Sequence, residues 1–366
     1  MKICLIGINL TSLILAEILS RKKIFIDIYS KKQAFKKYKT RSLGISEDNV
    51  RFLSILYPKI KKKFYLINKI NVLIKNQKLD EKVSFNKGSS PLFYISKFDT
   101  LFTYVKKKVQ KSNLVKFKKF NKKLREDTLY NNKKYSLFIN CSNSSFFTKK
   151  FLKKGINKNY NNIAFTTIFK HKKINNNMAT QVFTSDGPIA YLPISNNSTS
   201  VVFSYEIKKN QYDLEKYAIK EIIKNNPFYK ILSFSNVEKF NLKLRISKNY
   251  YHKNILFFGD NLHSIHPLAG QGFNMTIRDI KSLNEIIDKK INLGLPIDSK
   301  VLEEFENKTK SLNSLFSLGI DFVYEFFKFN KKFFPTKMSK KLFSFINKNE
   351  KIKNIGISIA NKGLNI

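Results

Sequence analysis

The chain has 366 residues and a formal net charge of +43, which Lys supplies almost alone because only six Arg are present. A hydrophobic content of 42% suffices for a packed core and excludes a disordered chain. Two Cys exclude a disulfide framework and predict a reducing, cytoplasmic compartment. Beyond the N-terminus no apolar run of about 18 or more uncharged residues occurs, so no membrane-spanning helix is expected.

The positive charge has two interpretations. It is either a compositional bias spread over the surface, together with the abundant Asn, Ile and Phe, or an attraction to anionic lipid or nucleic acid. No basic run is interleaved with stacking aromatics as in a nucleic-acid-binding module, so no specific nucleic-acid partner is predicted.

The N-terminus predicts a βαβ unit. KICLIG at 2–7 is a short apolar run ending in Gly, residues 10–20 have helical spacing, and IFIDIY at 24–29 is a second strand. Such a unit implies a parallel pair whose helix N-terminus is a natural phosphate cradle. A signal peptide is the alternative, but the stretch lacks a small-residue cleavage site.

The following segments suggest two kinds of layer. Helices are predicted at 46–55, opened by Ser46, and at 98–111, and a buried strand is predicted at 135–141. From about residue 159 the segments are short, rich in β-branched and aromatic residues and separated by turn residues, which is typical of an antiparallel sheet. These predicted strands are 162–172, 178–184, 189–195 and 199–207. A helix at 214–225 and a strand at 240–246 follow, and ILFFGD at 255–260 returns to the buried parallel type.

We therefore predict an α/β fold, more fully an α+β composite, in which a Rossmann-like parallel sheet is interrupted by an inserted antiparallel sheet. Residues 1–75, 98–158 and 250–330 are assigned to the parallel layer. Residues 76–97 and 159–249 are assigned to the antiparallel sheet, and 331–366 to a helical C-terminal tail.

The stretch ILFFGDNLHSIHPLAGQGFNMTIRD at 255–279 concentrates the chemistry. Gly259 permits close approach of a ligand, and Asp260 follows a parallel strand, where its carboxylate can accept hydrogen bonds from sugar hydroxyls. The Gly270–Gly272 segment permits positive φ before a helix predicted to begin near Phe273, whose N-terminus favours negative charge. The two His of this stretch raise a metal site as an alternative, but no third or fourth ligand stands at a recognisable spacing, so no metal is predicted.

These residues resemble a known family. The order Gly259, Asp260, His263, Pro267, Gly270, Gln271, Gly272, Asn274 and Asp279 is similar to the second FAD motif of the para-hydroxybenzoate-hydroxylase-like flavoprotein monooxygenases. FTSDGPIAYLPIS at 183–195 and TRSLGIS at 40–46 resemble segments of its ubiquinone-biosynthesis hydroxylase branch, so the resemblance covers about residues 1–330.

The resemblance implies FAD as cofactor, NAD(P)H as reductant and O₂ as the source of an oxygen atom that enters an electron-rich aromatic ring. It implies that Asp260 binds ribityl hydroxyls, that the Pro267 and Gly270–Gly272 loop lies along the isoalloxazine, and that Arg41 reaches the pyrophosphate region. The implied cofactor-binding residues are Gly7, Ile8, Asn9, Ser30, Arg41, Gly259, Asp260, Pro267, Gly270, Gln271, Gly272, Phe273 and Asn274. The implied substrate-lining residues are Phe183, Leu192 and Pro193, in an antiparallel substrate domain. No side chain is named as a catalytic acid.

The N-terminal motif departs from the family's pattern. Of G-x-G-x-x-G only Gly7 remains, so the Asn9 side chain must turn away from a pyrophosphate, and the position expected to hold an acidic residue carries Ser30. Asp27 stands three residues too early. The family's Asp-Gly after a buried strand falls on residues 140–143, which read Asn-Cys-Ser-Asn.

Two functions remain after this comparison. The first is an FAD-dependent hydroxylase of a polyprenylated phenol or benzoquinol in ubiquinone biosynthesis. The second is a catalytically silent relative that acts as a partner or scaffold in a biosynthetic complex, or another FAD-dependent reductase of the superfamily. Residues 321–348 alternate aromatics with Lys and suggest either helical packing or a peripheral contact with the cytoplasmic face of the inner membrane.

Overall fold

The structure, a computed structural model, describes residues 1–31, 38–75, 80–88, 90–120, 125–131, 134–207, 213–333 and 336–364. The first nine strands are β1 (Lys2–Ile6), β2 (Phe25–Ser30), β3 (Ser42–Ser46), β4 (Tyr65–Ile67), β5 (Lys69–Lys75), β6 (Asp80–Asn86), β7 (Phe93–Lys97), β8 (Val115–Lys119) and β9 (Leu137–Asn140). The others are β10 (Lys154–His171), β11 (Met178–Thr184), β12 (Gly187–Ser195), β13 (Ser198–Glu206), β14 (Ile231–Phe234), β15 (Glu238–Ser247), β16 (Tyr251–His252), β17 (Ile255–Phe257) and β18 (His263–Ser264).

The α-helices follow and connect these strands along the chain. They are α1 (Leu10–Arg21), α2 (Glu47–Leu56), α3 (Phe98–Val109), α4 (Glu126–Tyr130), α5 (Phe146–Phe151), α6 (Leu214–Lys224), α7 (Gln271–Asn292), α8 (Ser299–Phe333), α9 (Thr336–Lys348) and α10 (Glu350–Lys362). Short 3₁₀ turns lie at Ile60–Lys63, Gly259–Asn261 and Leu268–Gly270. Among the described residues, no helix combines the length and apolar character needed to cross a membrane.

The predicted parallel layer is present. Its sheet has the order β16-β17-β9-β1-β2-β8, and every pair except β16–β17 is parallel. The interior strand β1 is buried from Ile3 to Ile6, at most 1% exposed, because helices cover both faces of such a sheet. The β1–α1–β2 unit confirms the predicted βαβ crossover.

The second sheet confirms the predicted antiparallel layer, with one exception. Its order is β18-β15-β10-β13-β12-β11-β5-β6, and β14 pairs with β10. The exception is β5, which pairs in parallel with β11 and carries β6 at the edge. This pairing differs from the predicted division, in which residues up to 75 belong to the parallel layer. Strand β5 therefore belongs to the second sheet, to which its backbone hydrogen bonds with β11 join it. The pairing of β18 with β15 differs from the predicted division too, because residues 250–330 were assigned to the parallel layer.

A third, small sheet has the order β3-β7-β4 and lies against β12. It also differs from the predicted division, because β7 was assigned to the antiparallel layer but pairs with β3. Near the C-terminus, α8 runs through the predicted boundary at 331 without a break. Helix α10 contacts α2 and β3, where the carbonyl oxygen of Asn361 accepts a hydrogen bond from the Ser46 hydroxyl at 3.0 Å.

Candidate cofactor site

The turn after β1 passes close to the end of β9. Gly7 has a φ of +96°, and a Cβ added to it would lie 2.9 Å from the Cβ of Ser142, so this approach requires Gly. The Gly7 N–H donates to the carbonyl oxygen of Tyr29 in β2 at 2.8 Å. Gly7 and the half-buried Ile8 thus lie at the carboxyl edge of the parallel sheet, where open α/β folds bind ligands.

Asn9 closes the N-terminus of α1. Its Oδ1 accepts from the Ser12 N–H at 2.9 Å, and its own N–H donates to the Ser12 hydroxyl at 3.0 Å. Its Nδ2 donates to the carbonyl oxygen of Cys141 at 2.6 Å. Two of the four N–H groups that a helix N-terminus offers to a ligand are therefore already used.

The end of β2 carries a neutral side chain at the position of the expected acid. Ser30 is half-buried there, and its carbonyl oxygen accepts from the Phe120 N–H. Asp27 is fully buried within the strand, where Lys2 and Lys118 contact its Oδ2 at 2.9 and 2.7 Å. Asp27 is thus committed to buried ion pairs and does not replace an acid at position 30.

The loop after β9 is held by Asn140, which stands where the family has Asp. Its Nδ2 donates to the hydroxyls of Ser145 and Thr148, both at 2.8 Å, and its Oδ1 accepts from the Ser142 N–H at 3.1 Å. The amide therefore keeps the loop folded without a carboxylate.

Asp260 follows β17 at the same edge of the sheet. Gly259 has a φ of +65°, and a Cβ added to it would lie 3.4 Å from the Thr11 side chain, so this turn lies beside the start of α1. Asp260 is exposed and makes no hydrogen bond or ion pair to any described residue. Burial, with the nearby charge of Asp260, raises the pKa of the Cys141 thiol. Asp260 therefore presents a free carboxylate beside the turn.

The loop from Pro267 leads into α7. Gly270 is left-handed, with a φ of +64°, and no side chain caps the helix that follows. A Cβ at Gly272 would meet only the Ile265 side chain, at 3.8 Å, so space remains beside this backbone. The helix begins at Gln271, two residues before the predicted start at Phe273, and Gly270 occupies its N-cap position in the left-handed conformation. Gln271 is buried and Phe273 is half-buried.

Asn274 ties this loop to β3. Its Nδ2 donates to the carbonyl oxygens of Gly44 and Gly270 at 3.1 and 3.2 Å. Its Oδ1 accepts from the Ser46 N–H and from the Asn49 amide at 2.9 and 3.0 Å. Sequence analysis missed Asn49, whose only signal is a polar residue on the apolar face of α2. Ser46 does precede α2, but its hydroxyl bonds to α10 and does not cap the helix.

Arg41 lies just before β3 and is half-buried. Its guanidinium carbon is 5.1 Å from the centre of the Phe98 ring and 5.6 Å from that of Tyr38. It has no carboxylate partner among the described residues. A cation held on aromatic rings without a counter-ion is suited to a phosphate.

The two His of the loop have structural surroundings. His263 is buried, and its Nε2 lies 2.6 Å from Asp279 Oδ2. His266 is 1% exposed and stacks on Tyr324 with ring centres 4.1 Å apart. Neither His266 ring nitrogen has a hydrogen-bond partner among the described residues, and burial lowers its pKa to about 3. Among the described residues, no cluster of three or more His, Cys, Asp or Glu side chains could hold a metal ion.

The three substrate-lining candidates do not share one surface. Phe183 stacks on Phe327 of α8 with ring centres 3.8 Å apart, and both line a pocket of about 20 Å³. Leu192 packs on the cluster of the small sheet that contains Phe93. Pro193 is adjacent to Leu192 in β12 and points to the opposite face of the sheet.

The fold is similar to that of several solved monooxygenases. The p-nitrophenol 4-monooxygenase PnpA of Pseudomonas putida superposes with a TM-score of 0.76 at 12% identity, over 100% of this chain and 98% of that one. HpxO of Klebsiella pneumoniae, solved with FAD and uric acid, gives 0.73 at 11% identity, over 100% and 97% of the two chains. At these identities the likeness shows the fold alone, and it confirms the predicted fold class.

Sequence comparison gives a narrower result. Residues 153–292 match the family described as "FAD binding domain". The ubiquinone biosynthesis monooxygenase COQ6 of Dictyostelium discoideum is 29% identical over 216 residues, which are 49% of this chain and 43% of that protein. The 3-demethoxyubiquinol 3-hydroxylase of Escherichia coli is 30% identical over 156 residues, 41% of this chain and 40% of that protein. This chain is therefore similar in sequence to the ubiquinone-biosynthesis hydroxylases, as its motifs predicted, and it spans less than half the length of these proteins.

The residues of the site fit FAD unequally at its two ends. The flavin end has a free carboxylate at Asp260, an uncapped helix start after Gly270 and open space beside Gly272. At the pyrophosphate end Arg41 is unpaired, but Asn9 closes the N-terminus of α1. The site is therefore compatible with the isoalloxazine and ribityl groups as it stands, and it offers fewer donors than usual to the diphosphate.

Proposed function

We propose that this chain is an FAD-dependent monooxygenase that hydroxylates the aromatic ring of a polyprenylated phenol or benzoquinol in ubiquinone biosynthesis. NAD(P)H supplies two electrons, one oxygen atom of O₂ enters the ring, and the other leaves as water. The relatives named above support the substrate class, because each carries a ubiquinone-pathway activity in its name.

The observation that carries this proposal is the loop between β17 and α7. Asn274 holds Gly270 against Gly44, so the start of α7 has a fixed position. The positive end of the helix dipole stabilises negative charge placed before it. FAD, when bound, supplies the redox chemistry, and such charge develops on the reduced flavin ring.

Other residues of the chain have supporting roles in this proposal. Asp260 accepts hydrogen bonds from ribityl hydroxyls, and Arg41 offsets phosphate charge. The apolar side chains around Phe183 exclude water and suit an apolar substrate. No acid or base is assigned, because electron-rich phenols need positioning more than proton transfer from a side chain.

Flavin binding tests the proposal directly. Purified protein is expected to show flavin absorbance, or to gain it when reconstituted with FAD. Asp260→Ala should weaken FAD binding about tenfold, or about 1.4 kcal/mol. The matched control is Glu303→Ala, which removes an exposed carboxylate from α8. A colourless protein that cannot be reconstituted, or equal losses in the two variants, would contradict the proposal.

The second function, a catalytically silent partner in a biosynthetic complex, is favoured by one observation. The Asn9 side chain closes the N-terminus that dinucleotide-binding folds offer to the diphosphate. Oxidation of NAD(P)H that is stimulated by a polyprenylated phenol would contradict this alternative.

The proposal includes a contact between this chain and the cytoplasmic face of a membrane. Helix α8 exposes an apolar row, here called the α8 stripe: Leu312, Leu315, Leu318, Phe322 and Val323, which are 37%, 62%, 41%, 69% and 41% exposed. An apolar row on a chain of net charge +43 is complementary to an anionic lipid surface, where the proposed substrate resides.

A further inference from the structure

A separate pocket lies between α7, α8 and the end of α10. It offers about 50 Å³ to water-sized molecules, and its lining includes Arg278, Lys308, Asn313, Phe316 and Lys362. It shares no lining residue with the loop from Pro267 to Asn274. Nothing in the proposed hydroxylation uses this pocket.

Arg278 is the reason to consider a ligand here. Its guanidinium stacks on the Phe316 ring, with the guanidinium carbon 4.6 Å from the ring centre. Its Nη1 is buried and has no hydrogen-bond partner among the described residues. Gly363 has a φ of +80°, and a Cβ there would lie 2.9 Å from Arg278 Nε, so the chain leaves room for this side chain. Burial lowers the pKa of Arg278 to about 10, which still leaves it charged at neutral pH.

The charges around Arg278 are not balanced within the pocket. The carboxylate in the lining, Asp279, is already bonded to His263 at 2.6 Å and to Asn313 Nδ2 at 2.7 Å. Lys308 and Lys362 add two further positive charges, and only Lys308 has a carboxylate partner among the described residues, the exposed Glu285. Arg278 makes no ion pair with a described carboxylate, although the charges of Asp279 and Asp48 act on it. The pocket therefore keeps an excess of positive charge, which a bound anion would offset.

We propose that this pocket binds a phosphate group, with Arg278 as its central ligand and Lys362 at its rim. The phosphate belongs either to a free metabolite or to an anionic lipid headgroup. Leu312 favours the headgroup, because it lines the pocket and also belongs to the α8 stripe. The headgroup form rests on the proposed membrane contact, whereas the phosphate site itself does not depend on the proposed hydroxylase activity.

The first experiment uses inorganic phosphate and the full chain at constant ionic strength. Titration calorimetry should give saturable binding that Arg278→Met weakens at least tenfold and Lys362→Gln about threefold. The matched control is Arg125→Met, which removes an exposed Arg elsewhere and should leave the affinity unchanged. Equal affinity in Arg278→Met and in the parent would overturn the proposal. The flavin spectrum of each protein is recorded as well. A normal spectrum shows that FAD still binds, so the outcome of the phosphate test is distinguished from that of the hydroxylase proposal.

The second experiment identifies the source of the phosphate. Vesicles of phosphatidylcholine, with or without phosphatidic acid, are sedimented with parent, Arg278→Met and Arg125→Met proteins. A headgroup ligand predicts a severalfold loss of phosphatidic-acid-dependent binding in Arg278→Met alone, and competition by inorganic phosphate. Saturable phosphate binding with equal vesicle binding in all three proteins supports the site and assigns it to a free metabolite. If Arg278→Met does not fold, Lys362→Gln still tests the proposal. The Lys362 side chain is exposed, so its replacement should not disturb folding.

Discussion

Asn9 and Cys141 are 132 residues apart in sequence and are joined by a 2.6 Å hydrogen bond from the Asn9 amide to the Cys141 carbonyl oxygen. This bond links the first turn of α1 to the end of β9, and the same Asn9 side chain caps α1. The residue that departs from the glycine pattern thus has a structural role at the place where a dinucleotide phosphate would bind. The effect of Asn9 on FAD affinity can therefore be measured.

Asn9→Gly should increase FAD affinity about tenfold, because it frees the N–H groups of α1 and removes a side chain from the turn. Loss of the cap and of the bond to Cys141 should lower the free energy of unfolding by about 1 kcal/mol. Flavin fluorescence titration measures the first effect and urea unfolding the second. Asn349→Gly, which removes the similar cap of α10, is the control and should leave FAD affinity unchanged. Weaker FAD binding in Asn9→Gly would contradict the proposed closure.

Asn274→Ala should release the loop before α7 from β3. The change leaves the Gly44 carbonyl and the Ser46 N–H without their partner, and we expect a loss of about 3 kcal/mol in the free energy of unfolding. FAD affinity should fall at least tenfold. The control is Asn225→Ala, another buried amide with two bonds to Glu221, which should lose stability and keep its FAD affinity. Equal FAD affinity in the two variants would mean that this loop does not hold the flavin.

The sequence predicted the elements that have clear periodicity. The β1–α1–β2 unit, the strands β11, β12, β13 and β15 and the start of α7 were located within a few residues, because burial on one or both faces imposes a regular apolar pattern. Strand β10 was predicted from residue 162 but begins at Lys154. The pairing of β5 with β11 was not predicted, since pattern shows that a segment is extended and does not show its neighbour. The third sheet was missed for the same reason: β3 and β7 are far apart in sequence.

The candidate site divides in the same way. Motif order placed Asp260 directly after a buried strand and the Gly270–Gly272 loop at the start of a helix, and these are β17 and α7 in the structure. The partners of Asn9 and of Asn274 lie in other elements, so no local pattern reveals them. The role of Ser46 illustrates the limit, because it precedes α2 as a cap would, yet its hydroxyl bonds to Asn361.

His266 should make stability depend on pH. Its pKa is about 3 in the folded chain and about 6.5 when unfolded, so between these values the unfolded chain binds more protons. The free energy of unfolding therefore falls as pH drops from 6.5 towards 3, by up to about 1.4 kcal/mol per pH unit. His266→Phe should flatten this slope and leave stability at pH 7 equal or higher, because an unsatisfied imidazole is removed. Denaturant unfolding at several pH values between 4 and 7 measures the slope of the free energy of unfolding against pH. His252→Phe, a half-buried His on β16, should retain most of the slope, and an unchanged slope in His266→Phe would contradict the prediction.

The α8 stripe should determine membrane binding. Phe322→Glu is expected to reduce sedimentation with anionic vesicles severalfold, because Phe322 is 69% exposed and a carboxylate both removes apolar area and repels the lipid charge. Little loss of folding stability is expected, since the side chain already contacts solvent. The control is Ile223→Glu on α6, a 51% exposed apolar residue that receives the same charge change. If the two variants lose equal amounts of binding, general surface charge and not the stripe brings the chain to the membrane. If only Phe322→Glu loses binding, the stripe is the contact, and Leu312, which belongs to the stripe, connects that contact to the Arg278 pocket.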